Sequence, residues 1–133
     1  MTDEPRTIRL VLDSSAVAGW IRGAIAVGEL IAEIDDEFGA VVLPLPCLVQ
    51  AAHTNGLLDA DLIEVLINHP AVFLLADDPQ DWLALATMRS LVDSPDRASA
   101  AFLALTCGVD VLTRDAGWYR QVGDGTMGHQ FDG

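Results

Sequence analysis

The chain contains no lysine, only seven arginines, and a formal net charge of −13. Binding a nucleic acid backbone draws on clustered cations. Here the arginines are scattered along the sequence, so a stable, unaided nucleic acid complex is not expected. An acidic pocket filled by cations, or a basic protein partner, suits this charge better, and much of the remainder keeps the surface soluble. Cysteine is nearly absent too: Cys47 and Cys107 lie far apart, in apolar contexts, without metal-ligand spacing. They read as reduced, buried small hydrophobes of a cytoplasmic protein. No apolar run approaches the roughly eighteen residues of a membrane span, so no membrane association is expected. The acidic start Met1-Thr2-Asp3-Glu4-Pro5 lacks the basic and apolar regions of a signal peptide. No Gly-rich phosphate loop follows a strand, which removes Walker and Rossmann nucleotide sites. Ser14, Ser15 and Ser94 have no G-x-S-x-G elbow around them. His53, His69 and His129 offer no zinc-spaced pair.

What is present is a globular pattern: 133 residues, 51% hydrophobic and 20% charged, the size of one domain with a proper core. Residues 8–12 predict a first strand ending in Asp13, with Ser14 or Ser15 as cap of a short helix over 16–21. Residues 24–38 predict a second helix stopped by Gly39. A strand over 41–45 is shortened or made irregular by Pro44, which cannot donate to the ladder. Pro46 opens a helix through Ala52, Asn55-Gly56 makes a turn, and Asp59 or Asp61 caps a helix closing near His69-Pro70. Residues 71–75 are a third strand. A helix over 81–92 follows, with Trp82, Leu85, Met88 and Leu91 spaced for burial.

The richest stretch comes next. Ser94 suits an N-cap, Pro95 the first helical position, and Asp96 complements the helix dipole. Ala98, Ala101, Phe102 and Leu105 give an apolar face, and Gly108 is the stop. Residues 109–112 form a short strand that ends in Thr113-Arg114-Asp115, before a helical turn at Trp118 and Tyr119. Strands alternating with helices predict a three-layer α/β/α sandwich with a central, mainly parallel sheet. The domain is expected over residues 1–122, with 123–133 as a flexible tail or a poor edge strand.

Asp13 and Asp115 each follow a buried strand, where ligands bind in parallel sheets, and right-handed crossovers let the two ends share a rim. Hard cations such as Mg²⁺ and Mn²⁺ take carboxylates at such places, and carboxylates there also serve as helix N-caps. Both readings stand on spacing alone.

Val11-Leu12-Asp13-Ser14-Ser15-Ala16, together with Val111-Leu112-Thr113-Arg114-Asp115, resembles the PIN domain, the α/β nuclease fold of VapC-type toxins in toxin–antitoxin pairs. The resemblance runs over nearly the whole chain. It implies a ribonuclease with three or four acidic residues around Mg²⁺ or Mn²⁺. Asp13 matches the first acid, Ser15 its accompanying hydroxyl, Asp115 the acid of the final T-x-D motif and Thr113 its threonine. The chain departs in the middle. Gln50 stands where the family places a glutamate, and an amide is a poorer ligand and no base. The third acid falls on Arg97, with Asp96 one residue earlier, an offset that a 3₁₀ turn at the helix start would absorb.

The leading expectation is therefore metal-dependent hydrolysis of RNA, with Asp13, Asp115 and Asp96 as ligands and Ser15 and Thr113 in support. The alternative is a catalytically impaired PIN-like binding or regulatory module, in which Arg97 pairs with Asp13 and Asp115 in place of a metal. A basic antitoxin-like partner and a homodimer are the partners the resemblance implies.

Overall fold

A computed structural model describes residues 5–54 and 60–132. Five strands build one sheet: β1 (Thr7–Leu12), β2 (Gly39–Pro44), β3 (Val72–Leu75), β4 (Asp110–Thr113) and β5 (Gly128–Gln130), in the order β3-β2-β1-β4-β5. Every neighbouring pair is parallel. Six helices connect them among the described residues: α1 (Ser14–Ile21), α2 (Ile25–Asp36), α3 (Leu45–Thr54), α4 (Ala60–Ile67), α5 (Trp82–Arg89) and α6 (Pro95–Cys107). The chain moves from β1 outward to β3, then returns across the sheet to β4. Right-handed crossovers put these outbound and return helices on opposite faces. The α/β sandwich with a parallel sheet is thus the fold that forms.

The central strands are buried, as parallel strands covered on both faces should be. All of β2 is buried, as are Leu10, Val11 and Leu12 of β1 and Val111 and Leu112 of β4. Each such Val or Leu side chain contributes about 1.5–3 kcal/mol by leaving water. In α6, Ala98, Ala100, Ala101 and Ala104 face inward, and these small side chains let the helix lie close to β1, β2, β4 and α3.

Several local expectations change. Asp13, rather than Ser14 or Ser15, caps α1, accepting from the Ala16 N–H at 3.0 Å. Gly39 begins β2 instead of ending α2, and Phe38 takes the left-handed conformation at φ 55°. A Cβ at Gly39 would meet Arg9 Cγ and Ile34 Cγ2, both at 2.8 Å, so the entry to β2 needs glycine for close approach. Trp82 and Leu91 are exposed because α5 packs on α6 with a narrow face, where Met88 is buried. Leu105 is exposed at the last turn of α6, and Cys107 is exposed beside it, whereas Cys47 is buried.

Of the two expectations for the tail, a flexible end or a poor edge strand, the edge strand forms. Residues 128–130 pair with 111–113, and Met127 and Phe131 enter the core on either side of that strand. Two apolar anchors among four glycines suffice, because β4 offers a free edge to complete. The predicted turn at Asn55-Gly56 and cap at Asp59 lie outside the described residues. No single helix among the described residues is long and apolar enough to cross a membrane.

Candidate functional site

The carboxyl ends of β1 and β4 meet at one rim, as the topology requires. There the Asp13 N–H donates to the Leu112 carbonyl at 3.3 Å. The Asp13 side chain is fully buried. Its Oδ1 accepts from the Ser15 hydroxyl at 2.5 Å and from the Ala16 N–H at 3.0 Å. Its Oδ2 accepts from the Tyr119 hydroxyl at 2.7 Å. Tyr119 is also fully buried, and burial, followed by the charge of Asp13, pushes its phenol far above the usual value. The phenol therefore stays a donor to Asp13.

Ser15 continues the network to the second strand end. Its Oγ accepts from the Arg114 N–H at 2.9 Å and lies 3.4 Å from the Thr113 hydroxyl oxygen. Asp115 sits beyond Thr113, exposed, with Oδ1 accepting from the Gly117 N–H at 2.9 Å as cap of the 3₁₀ turn Ala116–Tyr119. On the other side, buried Asp96 accepts from the Ser14 hydroxyl at 2.7 Å. The Cys47 thiol donates to the Asp96 carbonyl at 3.2 Å. Burial, then the charges of Asp13 and Asp96, raise that thiol well above its usual value, so it is an inert packing group.

The middle positions behave differently from a metal-binding set. Gln50 is exposed on α3, its amide donating to the Thr54 hydroxyl at 3.3 Å. Arg97 makes its ion pair with Asp93, one turn back on the chain, and stacks over the Trp118 ring at 3.7 Å from the centroid. The expected pairing of Arg97 with Asp13 and Asp115 does not form. Asp13 already has its partners, and the i,i+4 neighbour is nearer. The Arg97 bond holds the Asp93 carboxyl below the usual carboxylate range. The Nε of Arg97 is buried and has no hydrogen-bond partner among the described residues.

A cavity of about 260 Å³ opens at this rim. The sequence suggests an acidic pocket; the fold builds a different one. Three of the chain's seven arginines, Arg22, Arg97 and Arg114, line it, against Asp96 as its one lining carboxylate. Neither Arg22 nor Arg114 forms an ion pair among the described residues. Sequence reasoning missed this because Arg22 ends α1 and Arg114 follows β4, positions 92 residues apart that the rim joins. The one usable signal was Arg114 inside the Thr113-Arg114-Asp115 motif. Tyr119 was also missed as the partner of Asp13.

The implied Mg²⁺ or Mn²⁺ fits these residues poorly. Gln50, at the expected glutamate position, is a neutral amide turned to Thr54, and Asp115 is exposed as the cap of the 3₁₀ turn. Among the described residues no three His, Cys, Asp or Glu side chains group as a metal site. Arg97 adds a fixed positive charge beside the cavity, which repels a divalent cation.

No family model and no curated protein sequence matches the chain. The fold does have a counterpart. The crystal structure of VapBC2 from Rickettsia felis bound to a DNA fragment from their promoter superposes with a TM-score of 0.75 at 7% identity. The match covers 94% of this chain and 99% of that one. This shared fold agrees with the PIN-like architecture the terminal motifs suggest.

Proposed function

We propose that the chain is a PIN-like domain that works by binding at its carboxyl rim rather than by metal-dependent hydrolysis. The observation that carries this reading is the treatment of the two middle positions. Gln50 supplies no charge, and Arg97 brings a cation, paired with Asp93 and stacked on Trp118, to the cavity. Asp13 acts through the same logic as a buried structural anion, capping α1 and holding Tyr119 and Ser15 in place. As a regulatory module the domain would act in the cytoplasm on a protein partner, with an antitoxin-like chain or a second copy as the kinds the family resemblance implies.

The second reading is the metal-dependent ribonuclease of a toxin–antitoxin pair, with RNA as substrate. One observation favours it: the carboxylates of Asp13 and Asp96 both come to the rim, through the adjacent hydroxyls of Ser15 and Ser14. Under that reading Asp13, Asp96 and Asp115 hold the cation, and Ser15 and Thr113 support them.

Calorimetric titration of Mn²⁺ and Mg²⁺, together with RNA cleavage assays, separates the two. The binding module shows no saturable metal uptake and no metal-dependent cleavage. Cleavage that needs Mn²⁺ and vanishes in Asp13→Asn would establish the nuclease instead. Gln50→Glu adds a third arm, since recovered metal affinity marks a decayed nuclease.

A further inference from the structure

We infer that the rim cavity is an anion site that takes a phosphomonoester, with Arg22, Arg97 and Arg114 as its cationic wall. This rests on reading the rim as a binding site and names its ligand class. The chain carries −13 overall, yet this cavity gathers three arginines and one carboxylate. Such a concentration against the general charge needs a reason, because guanidinium groups repel one another across a shared cavity. Arg97 has an exposed ion-pair partner in Asp93, but Arg22 and Arg114 have no carboxylate in contact among the described residues. An anion between them removes the repulsion and uses the bidentate geometry that suits guanidinium to phosphate.

The hydrogen-bond inventory points the same way. The Ser14 and Ser15 hydroxyls are spent on Asp96 and Asp13, so they cannot also donate to a ligand. Two kinds of donor remain: the Arg22 and Arg114 forks, and the Ser94 hydroxyl, which accepts from the Arg97 N–H but donates to nothing among the described residues.

Asp96 discriminates among anions. Its Oδ2 takes the Ser14 hydroxyl, and Oδ1 is an uncommitted acceptor at the cavity. A sulfate has no proton to offer it near neutral pH and meets only repulsion. A phosphate monoanion, or a sugar phosphate with a free hydroxyl, donates an O–H to it. The volume of about 260 Å³ admits a phosphate with part of an attached sugar.

The test is calorimetric titration of the full chain with inorganic phosphate, sulfate and adenosine 5′-monophosphate, in EDTA and at low ionic strength. Phosphate is expected to bind saturably and more tightly than sulfate. Arg22→Gln and Arg114→Gln should each weaken binding about tenfold, as loss of one charge-assisted contact does. Arg120→Gln, an exposed arginine away from this cavity, should leave it unchanged. Tighter binding of the nucleotide than of phosphate supports the phosphomonoester; equal or weaker binding overturns that ligand class and leaves a site for inorganic phosphate. Absence of saturable binding by phosphate and nucleotide, or binding untouched in Arg22→Gln/Arg114→Gln with circular dichroism unaltered, overturns the proposal. Because EDTA is present throughout, that failure is distinct from a failure of the binding-module reading, which saturable metal uptake or metal-dependent RNA cleavage would bring about.

Discussion

Tyr119 donates its hydroxyl to the Asp13 carboxylate at 2.7 Å, joining residues 106 positions apart at the centre of the rim. Both side chains are fully buried, so neither has water to fall back on. This bond ties the end of β1 to the turn after β4 and sets the floor beneath Ser15 and Thr113. It also makes the rim's stability and its chemistry testable separately.

Tyr119→Phe keeps the ring and removes the donor. One oxygen of a buried carboxylate then loses its partner, which costs about 1–3 kcal/mol. The urea midpoint should fall accordingly with little change in slope. An unchanged midpoint would mean that the Asp13–Tyr119 bond contributes nothing net.

Alkaline pH should destabilise the fold. The Cys47 thiol and the Tyr119 phenol both keep their protons in the folded state well beyond their ordinary values. The unfolded chain loses those protons from about pH 8.5 for the thiol and about pH 10 for the phenol. It therefore binds fewer protons than the folded chain, and stability falls as pH rises, by up to about 1.4 kcal/mol per pH unit for each group. Unfolding midpoints measured between neutral and strongly alkaline pH check this. Cys47→Ala should remove the earlier part of the fall, though its void lowers stability at every pH.

Two glycines should respond oppositely to alanine. A Cβ at Gly128 would sit 2.7 Å from the Ala116 Cα and 3.0 Å from its carbonyl oxygen, where β5 crosses the 3₁₀ turn. Backbone cannot yield cheaply, and Gly128→Ala should cost about 1–3 kcal/mol. Gly28, inside α2, has open space around it, so Gly28→Ala should stabilise by about 0.5–1 kcal/mol. Paired thermal melts decide both.

Restoring the acids should restore a metal site if the frame alone was retained. Gln50→Glu with Arg97→Asp places two carboxylates beside Asp96 in the cavity and removes one of its cations. Saturable Mn²⁺ binding is expected in this double variant and not in the parent. Its absence would mean that the frame no longer sets these carboxylates in metal-binding geometry.

The α/β class, the positions of most elements, and the start and stop of α6 were legible in the chain itself. They rest on local physics: apolar runs, the Ser94 cap with Pro95 behind it, and a left-handed Gly108 after the last turn. The meeting of Asp13 with the Thr113 strand end was legible through crossover handedness. Local pattern misled where burial depends on what lies opposite. Trp82 and Leu105 had helical spacing but face solvent, and the sequence left open whether the glycine-rich tail is loose or an edge strand, which the free edge of β4 decides. Charge misled most. Net charge is a sum over the chain and carries no direction, so −13 suggested an acidic rim. Only tertiary structure could bring the end of α1, the start of α6 and the turn after β4 together, and with them Arg22, Arg97 and Arg114 around one cavity.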